Sequence, residues 1–431
     1  MTWQNWAGNQ QADPVVVRPR DVAEVVDAVK SAPGRVKAIG SGHSFTAIGV
    51  PEGTQLVMDR LCEPLSADPS TGLVTVQAGM PLHALNRWLE QQGLAMTNLG
   101  DIEVQTISGA LSTGTHGTGQ GYGGIATQVR GLELVLADGS VVTCSATERP
   151  ELFAAARISL GALGVVTSVT LQTVPLFALR ADERPMPMPE VLDRFDELAA
   201  GSDHFELYWF PHTQGALTKH NTRIPLEEAT TPLSPWRKRL DDDFLSNTVF
   251  GWGQALARVA PGTIRPVNRL STKALSPRVY TDTSYKVFTS ERRVRFCEME
   301  YAIPRAAVVD VLRELDATIE RSGMRISFPV EVRVAAADDI TLSTASGRES
   351  AYIAVHMDHK TPHEDYFRLV ESVMSGVEGR PHWGKLHYLD ASVLRTRYPR
   401  FAEFVALRDE LDPTGRFSNA YLDRVLGPAP A

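Results

Sequence analysis

The chain has 431 residues, 43% hydrophobic and 22% charged, and its 43 Lys and Arg against 51 Asp and Glu give a net charge of −8. That balance describes a globular chain of two or three domains and excludes a nucleic-acid partner, which needs a basic face. Cys62, Cys144 and Cys297 are too far apart for a disulfide framework or a CxxC metal site, which points to a reducing compartment. No apolar stretch reaches the length of a membrane span, and no basic segment followed by an apolar run opens the chain. A cytoplasmic protein without a signal peptide is expected, with peripheral membrane contact left open.

In chain order, Asp21 is a natural N-cap for a helix carrying Val22, Val25, Val26 and Val29 at helical spacing. A strand over 35–39 then enters the loop Gly40-Ser41-Gly42-His43-Ser44. Two glycines one residue apart allow positive φ, so several N–H groups can face one concavity suited to a phosphate. A surface turn with a solvated histidine fits the same letters. A Rossmann fingerprint does not, because Phe45 stands at the third glycine position and no helical pattern opens there. Residues 73–76 read as a strand, and Pro81 opens a helix with Leu82, Leu85 and Leu89 on one face. Residues 105–119 are so small and glycine-rich that no ordinary packed element is expected; their backbone and hydroxyl oxygens suit a long polar ligand. Leu132, Leu134 and Leu136 alternate into Asp138-Gly139 and return through Val141, a hairpin signal. A short helix over 151–158, a turn at 161–164 and a strand over 165–174 follow, and Pro175 marks a domain boundary.

Longer alternating elements begin at Pro187. Phe205, Leu207 and Trp209 share one strand face, and residues 218–245 read as polar loops with some helix. Strands are expected over 297–303, 326–334, 351–358 and 382–388, and helices over 305–321 and 363–376. Residues 391–426 read as mostly helical, interrupted at Asp412-Pro413-Thr414-Gly415. In the strand over 326–334, Val330, Val332 and Val334 share one face and Glu331 and Arg333 the other. Two ionised groups so placed need a polar cavity or a partner, so a cross-strand ion pair and a substrate site are both open. Ala354 shares a face with His356, and Lys385 with Trp383 and His387. If these strands are neighbours, Glu331, Arg333, His356 and Lys385 converge on one polyhydroxyl ligand. Gly119 to Gly124 matches GxGxxG formally but follows no strand and opens no helix; no GxSxG or HExxH occurs, and His382 and His387 lack metal-ligand spacing.

Four motifs stand in fixed order: Gly40-Ser41-Gly42-His43-Ser44; Ile107-Ser108-Gly109 leading to Thr113-Gly114-Thr115-His116-Gly117; Pro329-Val330-Glu331-Val332-Arg333; and Arg380-Pro381-His382-Trp383-Gly384-Lys385. In these the chain resembles the aldonolactone oxidoreductases of the vanillyl-alcohol-oxidase (PCMH) type and, more distantly, the alditol oxidases. The likeness runs from Asn5-Trp6-Ala7 to Phe417-Ser418-Asn419-Ala420-Tyr421. It implies an α+β fold of two domains. A PCMH-type FAD-binding domain would span 1–175, with the tail 391–431 returning to it, and a mixed-sheet substrate domain would span 176–390.

The same resemblance implies site roles. His43 matches the histidine that carries FAD covalently at its 8α carbon, a reasonable bond because neutral imidazole is a competent nucleophile. Gly40, Ser41, Gly42 and Ser44 match the pyrophosphate loop, Thr106, Gly109, Thr113, Gly114, Thr115 and His116 a second cofactor segment, and Val165 an adenine-side contact. A structural histidine fits His116 equally well. Glu331 and Arg333 match substrate-binding residues, and Lys385 the lysine beside flavin N1, where it stabilises developing negative charge. Glu331 or His356 would accept the hydroxyl proton, a choice that sequence leaves open. Asp101 departs from relatives whose residue there is small and uncharged and would touch substrate, while Gly100 would leave room for oxygen. The activity implied is oxidation of an L-gulono- or D-arabinono-1,4-lactone by hydride transfer to FAD, with oxygen, a cytochrome or a dye as acceptor. An alditol oxidase is the alternative. A non-catalytic sugar-acid binder is a third reading, against which intact His43, Arg333 and Lys385 weigh.

Overall fold

The computed structural model describes residues 2–234, 250–290 and 293–430. Near the N-terminus β1 (Val15–Val17), β2 (Val36–Ile39) and β3 (Thr54–Val57) form a parallel sheet in the order β1-β3-β2. Helix α1 (Val22–Ser31) connects the first two strands. Its expected cap is present: the Asp21 carboxylate accepts from the Glu24 N–H, and Val25, Ala28 and Val29 are buried.

A second, antiparallel sheet contains β4 (Pro64–Asp68), β5 (Leu73–Gln77), β6 (Val129–Val135), β7 (Val141–Ser145) and β8 (Val165–Gln172), in the order β7-β6-β8-β5-β4. Helix α2 (Leu82–Gln91) buries Leu82, Leu85 and Leu89 in the same apolar cluster as Val74, Val76 and Val169. Leu394, Phe404, Tyr421 and Val425, from the three C-terminal helices, belong to that cluster too.

Residues 105–119 contain an ordinary element after all. Helix α3 (Ile107–Thr113) forms because the Thr106 hydroxyl accepts the Gly109 N–H at 3.2 Å and Gly114, at φ +78°, closes the other end. Small residues on it serve close approach to the Gly40 loop rather than irregularity: a Cβ at Gly40 would lie 2.4 Å from Thr106 Oγ1.

The later part of the chain is built on one eight-stranded sheet. Its strands are β9 (Ala178–Pro187), β10 (His204–Trp209), β11 (Gly215–Ile224), β12 (Arg278–Thr283), β13 (Phe296–Pro304), β14 (Val330–Ala335), β15 (Ser350–Asp358) and β16 (Arg380–Pro381). The order is β12-β9-β11-β10-β14-β15-β13-β16. The chain mixes parallel and antiparallel sheets, but within this sheet every pairing is antiparallel. Helices α4 (Val308–Ser322) and α5 (Glu364–Ser375) cover one face. Leu312, Leu315, Phe367 and Val370 from them pack on Leu207, Met299, Val332 and Val355. Each such side chain contributes about 1.5–3 kcal/mol by burial. The opposite face is polar, as period-2 alternation dictates.

Two expectations change here. Part of the segment over 218–245 is strand, since β11 runs for ten residues between β9 and β10; residues 235–249 lie outside the described ones. The strand over 382–388 does not form. Regular pairing with β13 ends at Pro381 with one further bond from the His382 N–H to Glu300 O, the chain makes a turn closed by the Lys385 N–H on His382 O at 2.9 Å, and Leu386 resumes contact at Glu298 O. Among the described residues no helix is long and apolar enough to cross a membrane.

Candidate active site

The polar face of the large sheet forms the floor of a cavity of about 1550 Å³. Register sets which side chains meet there. Glu206 stands opposite Arg333, Tyr208 opposite Glu331, Glu331 opposite Ala354 and His356 opposite Glu298. Arg333 is therefore enclosed by acids. Its Nη2 contacts Glu331, its Nε lies 3.2 Å from Glu206 Oε2, and Asp101 Oδ1 is 3.7 Å from Nη2. Burial opposes its charge, but Glu331, Asp101 and Glu206 raise the guanidinium well above its ordinary range. Lys219 Nζ adds a bond to Glu206 at 2.5 Å.

Lys385 enters from the turn beyond β16 and contacts Glu298. Burial works against its charge, yet Glu298 and Glu300 hold it above the usual lysine value. The Glu298 carboxylate is lowered, against its burial, by Lys385 and His356, whose Nε2 lies 3.6 Å away. Lys385 does not share a face with Trp383 and His387, because no strand exists to impose one. Trp383 is buried and donates to Leu342 O, and His387 is buried against the Tyr421 hydroxyl.

The early loop and this late turn are joined directly. The Phe45 N–H donates to Gly384 O at 2.7 Å, and the Thr46 hydroxyl to Trp383 O at 2.9 Å. His43 thus opens on the same cavity as Lys385. Burial, with the Lys385 charge adding to it, pushes the His43 imidazole down to about 4, so it is neutral at ordinary pH.

Of the expected residues, His43, Ser44, Asp101, Thr113, Thr115, His116, Glu331, Arg333, His356 and Lys385 line the cavity. Gly40, Ser41 and Gly42 do not line it; the Gly40 backbone packs on Thr106 and Gly109 and the Ser41 hydroxyl donates to Val104 O. Gly42 takes φ +68°, the conformation the loop needed glycine for. Val165 is buried in a small core with Val29, Val36 and Phe417, which leaves only its backbone for a cofactor contact. His116 lies 3.2 Å from Glu300 through Nε2 and 2.8 Å from Gly117 O through Nδ1, and stacks on Tyr352. His382 joins His116 and Glu300 in a group whose ligand atoms lie within 4.8 Å of one another, a proximity that linear spacing hid.

A glycine-backed loop, a neutral imidazole facing a large cavity and a fixed ammonium beside it suit a flavin dinucleotide. The acids Glu206, Glu298 and Glu300, and Lys219, were missed from sequence. The alternation is visible in the sequence, Glu206 between Phe205 and Leu207, and Glu298 and Glu300 among Cys297, Met299 and Tyr301, but it fits a solvated face as well as a site.

Comparison with known proteins agrees with this geometry. The family model described as D-arabinono-1,4-lactone oxidase matches residues 169–425, and that described as FAD binding domain matches residues 14–145. The chain is 43% identical to the L-gulono-1,4-lactone dehydrogenase of Mycobacterium tuberculosis, over 99% of each chain. It is 35% identical to the L-gulonolactone oxidase of Bos taurus, over 98% of each. Cholesterol oxidase from Brevibacterium sterolicum superposes with a TM-score of 0.82 at 20% identity, covering 99% of this chain and 96% of that one, which bears out the α+β PCMH-type fold. The chain belongs to the D-arabinono-1,4-lactone oxidase family of FAD-binding oxidoreductases.

Proposed function

We propose that this protein oxidises an aldono-1,4-lactone of the L-gulono or D-arabinono type at its C2 hydroxyl, with FAD attached covalently through His43. One observation carries the reading: a neutral imidazole from the early loop opens on the same cavity as Lys385 and the Arg333–Glu331 pair. Gly40, Ser41, Gly42 and Ser44 would hold the pyrophosphate side, with Thr106, Gly109, Thr113, Gly114, Thr115, His116 and the Val165 backbone as further contacts. Residues 1–175, with 391–431, would hold this cofactor, and 176–390 would supply the substrate floor. FAD, when bound, supplies a two-electron acceptor for the hydride. The three free cysteines support a cytoplasmic setting.

The chain's own residues divide the remaining work. Arg333, fixed by three carboxylates, donates to ring or carbonyl oxygens of the lactone, while Glu331 and Asp101 accept from its hydroxyls. His356 takes the C2 hydroxyl proton, and Glu298 beside its Nε2 steadies the imidazolium that forms. Lys385 keeps a positive charge where negative charge develops. The experiment is a screen of L-gulono-1,4-lactone, D-arabinono-1,4-lactone, xylitol and sorbitol against oxygen, cytochrome c and a dye. Turnover of a lactone supports the reading; turnover of the alditols alone overturns it.

A further inference from the structure

Residues 2–12 lie as a strap across the loop that carries His43. Trp3–Gln4 pairs with Gln11–Ala12, and Asn5 Oδ1 accepts from the Gly8 and Gln10 N–H groups, both at 3.0 Å, closing the turn between them. The strap's donors then engage three carbonyls of the His43 loop. The Trp6 N–H donates to Gly42 O at 2.8 Å, Asn5 Nδ2 to Ser44 O at 2.9 Å and Asn9 Nδ2 to Phe45 O at 2.9 Å. The Trp6 ring lies over the His43 imidazole, with centroids 5.4 Å apart and planes 22° from parallel. From the other side, Gly384 O holds the Phe45 N–H. His43 is gripped between the two.

We propose that this strap, with Trp6 as its positioning residue, fixes the imidazole for covalent attachment of FAD. The inference rests on the covalent reading above. Attachment forms one bond from an imidazole nitrogen to the 8α carbon. One hydrogen leaves the flavin 8-methyl and one leaves the imidazole. The two electrons left on the flavin pass to oxygen or a dye, the same acceptor class that turnover uses. A neutral ring needs no prior deprotonation, so orientation is what the protein must supply. Stacking sets the ring plane, and the three carbonyl contacts set its depth.

The test uses full-length protein produced flavin-free in a riboflavin-starved host and mixed with FAD in air. Samples are precipitated with acid; flavin in the pellet is compared with total flavin retained by undenatured protein. Trp6→Leu retains FAD but gains acid-stable flavin roughly a hundred-fold more slowly, the effect of a misplaced reacting atom. Trp6→Phe, which keeps a ring over the imidazole, restores the rate. Asn9 is exposed, so Asn9→Ala leaves folding intact and also slows incorporation. Wild-type rates in both Trp6→Leu and Asn9→Ala overturn the proposal, as does a Trp6→Phe rate equal to that of Trp6→Leu. A wild-type pellet without flavin overturns the covalent reading itself, a result distinct from either.

Discussion

Arg333 is the residue on which the substrate floor depends most, because three acids face it. Replacing it by Leu leaves Glu206, Glu331 and Asp101 without their shared cation. Breaking a buried pair this way costs about 3–5 kcal/mol, so urea unfolding of Arg333→Leu should show a large loss of stability as well as loss of turnover. Lys385 has a different weight. Lys385→Met should lower kcat by about 10²–10³, the scale of one electrostatic transition-state contact, with FAD still bound; steady-state assay with L-gulono-1,4-lactone measures it. Glu331 and Arg333 were legible from sequence because two charges on one face of a valine strand demand an explanation. Glu206 sits between Phe205 and Leu207 in the same alternation, but a single acid in a strand is equally at home on a solvated face. Only the register that sets it opposite Arg333 separates the two readings.

Element by element, most of the helices and strands followed from periodicity and caps. Those with a strong apolar stripe, such as α2 and α4, stand close to where the spacing put them. The misses have separate causes. Helix α3 lacks bulky residues, so its identity rests on the Thr106 cap and Gly114, not on an apolar stripe. The segment after β16 alternates like a strand, yet the turn at His382–Lys385 interrupts the ladder, and tertiary bonds to the His43 loop decide its path. Strand β11 is polar from Thr218 to Arg223, where both its neighbours present charges to it, as with Lys219 beside Glu206 and Glu183. Two substitutions probe the loop–helix junction. Gly40→Ala forces a Cβ to within 2.4 Å of Thr106 Oγ1, so the loop must shift and the flavin-to-protein absorbance ratio should drop sharply. Thr106→Ala removes the cap of α3 and should cost about 1 kcal/mol in thermal unfolding.

At the scale of the whole molecule, four histidines are folded into places that favour the neutral ring. Burial lowers His43, His204 and His382 to about 4 and His387 to about 3, against an ordinary value of 6.5. Between those values the unfolded chain binds more protons at these rings than the folded one, so their contribution to stability is full above 6.5 and falls as pH drops toward 3. Tm should decline steadily from pH 6 to 4, and buried Lys37, lowered to about 7, makes it rise further from pH 7 to 8; a Tm unchanged at pH 5 would contradict the burial of these rings. The same burial keeps the His43 imidazole neutral while Lys385 and Arg333 stay charged, and the cavity joins the three. The most direct measurement of that union is anaerobic mixing of the flavin-loaded enzyme with L-gulono-1,4-lactone. Bleaching of the visible flavin absorbance by this lactone or its D-arabinono counterpart is the expected result. A spectrum unchanged by every aldonolactone, but bleached by xylitol, would contradict it.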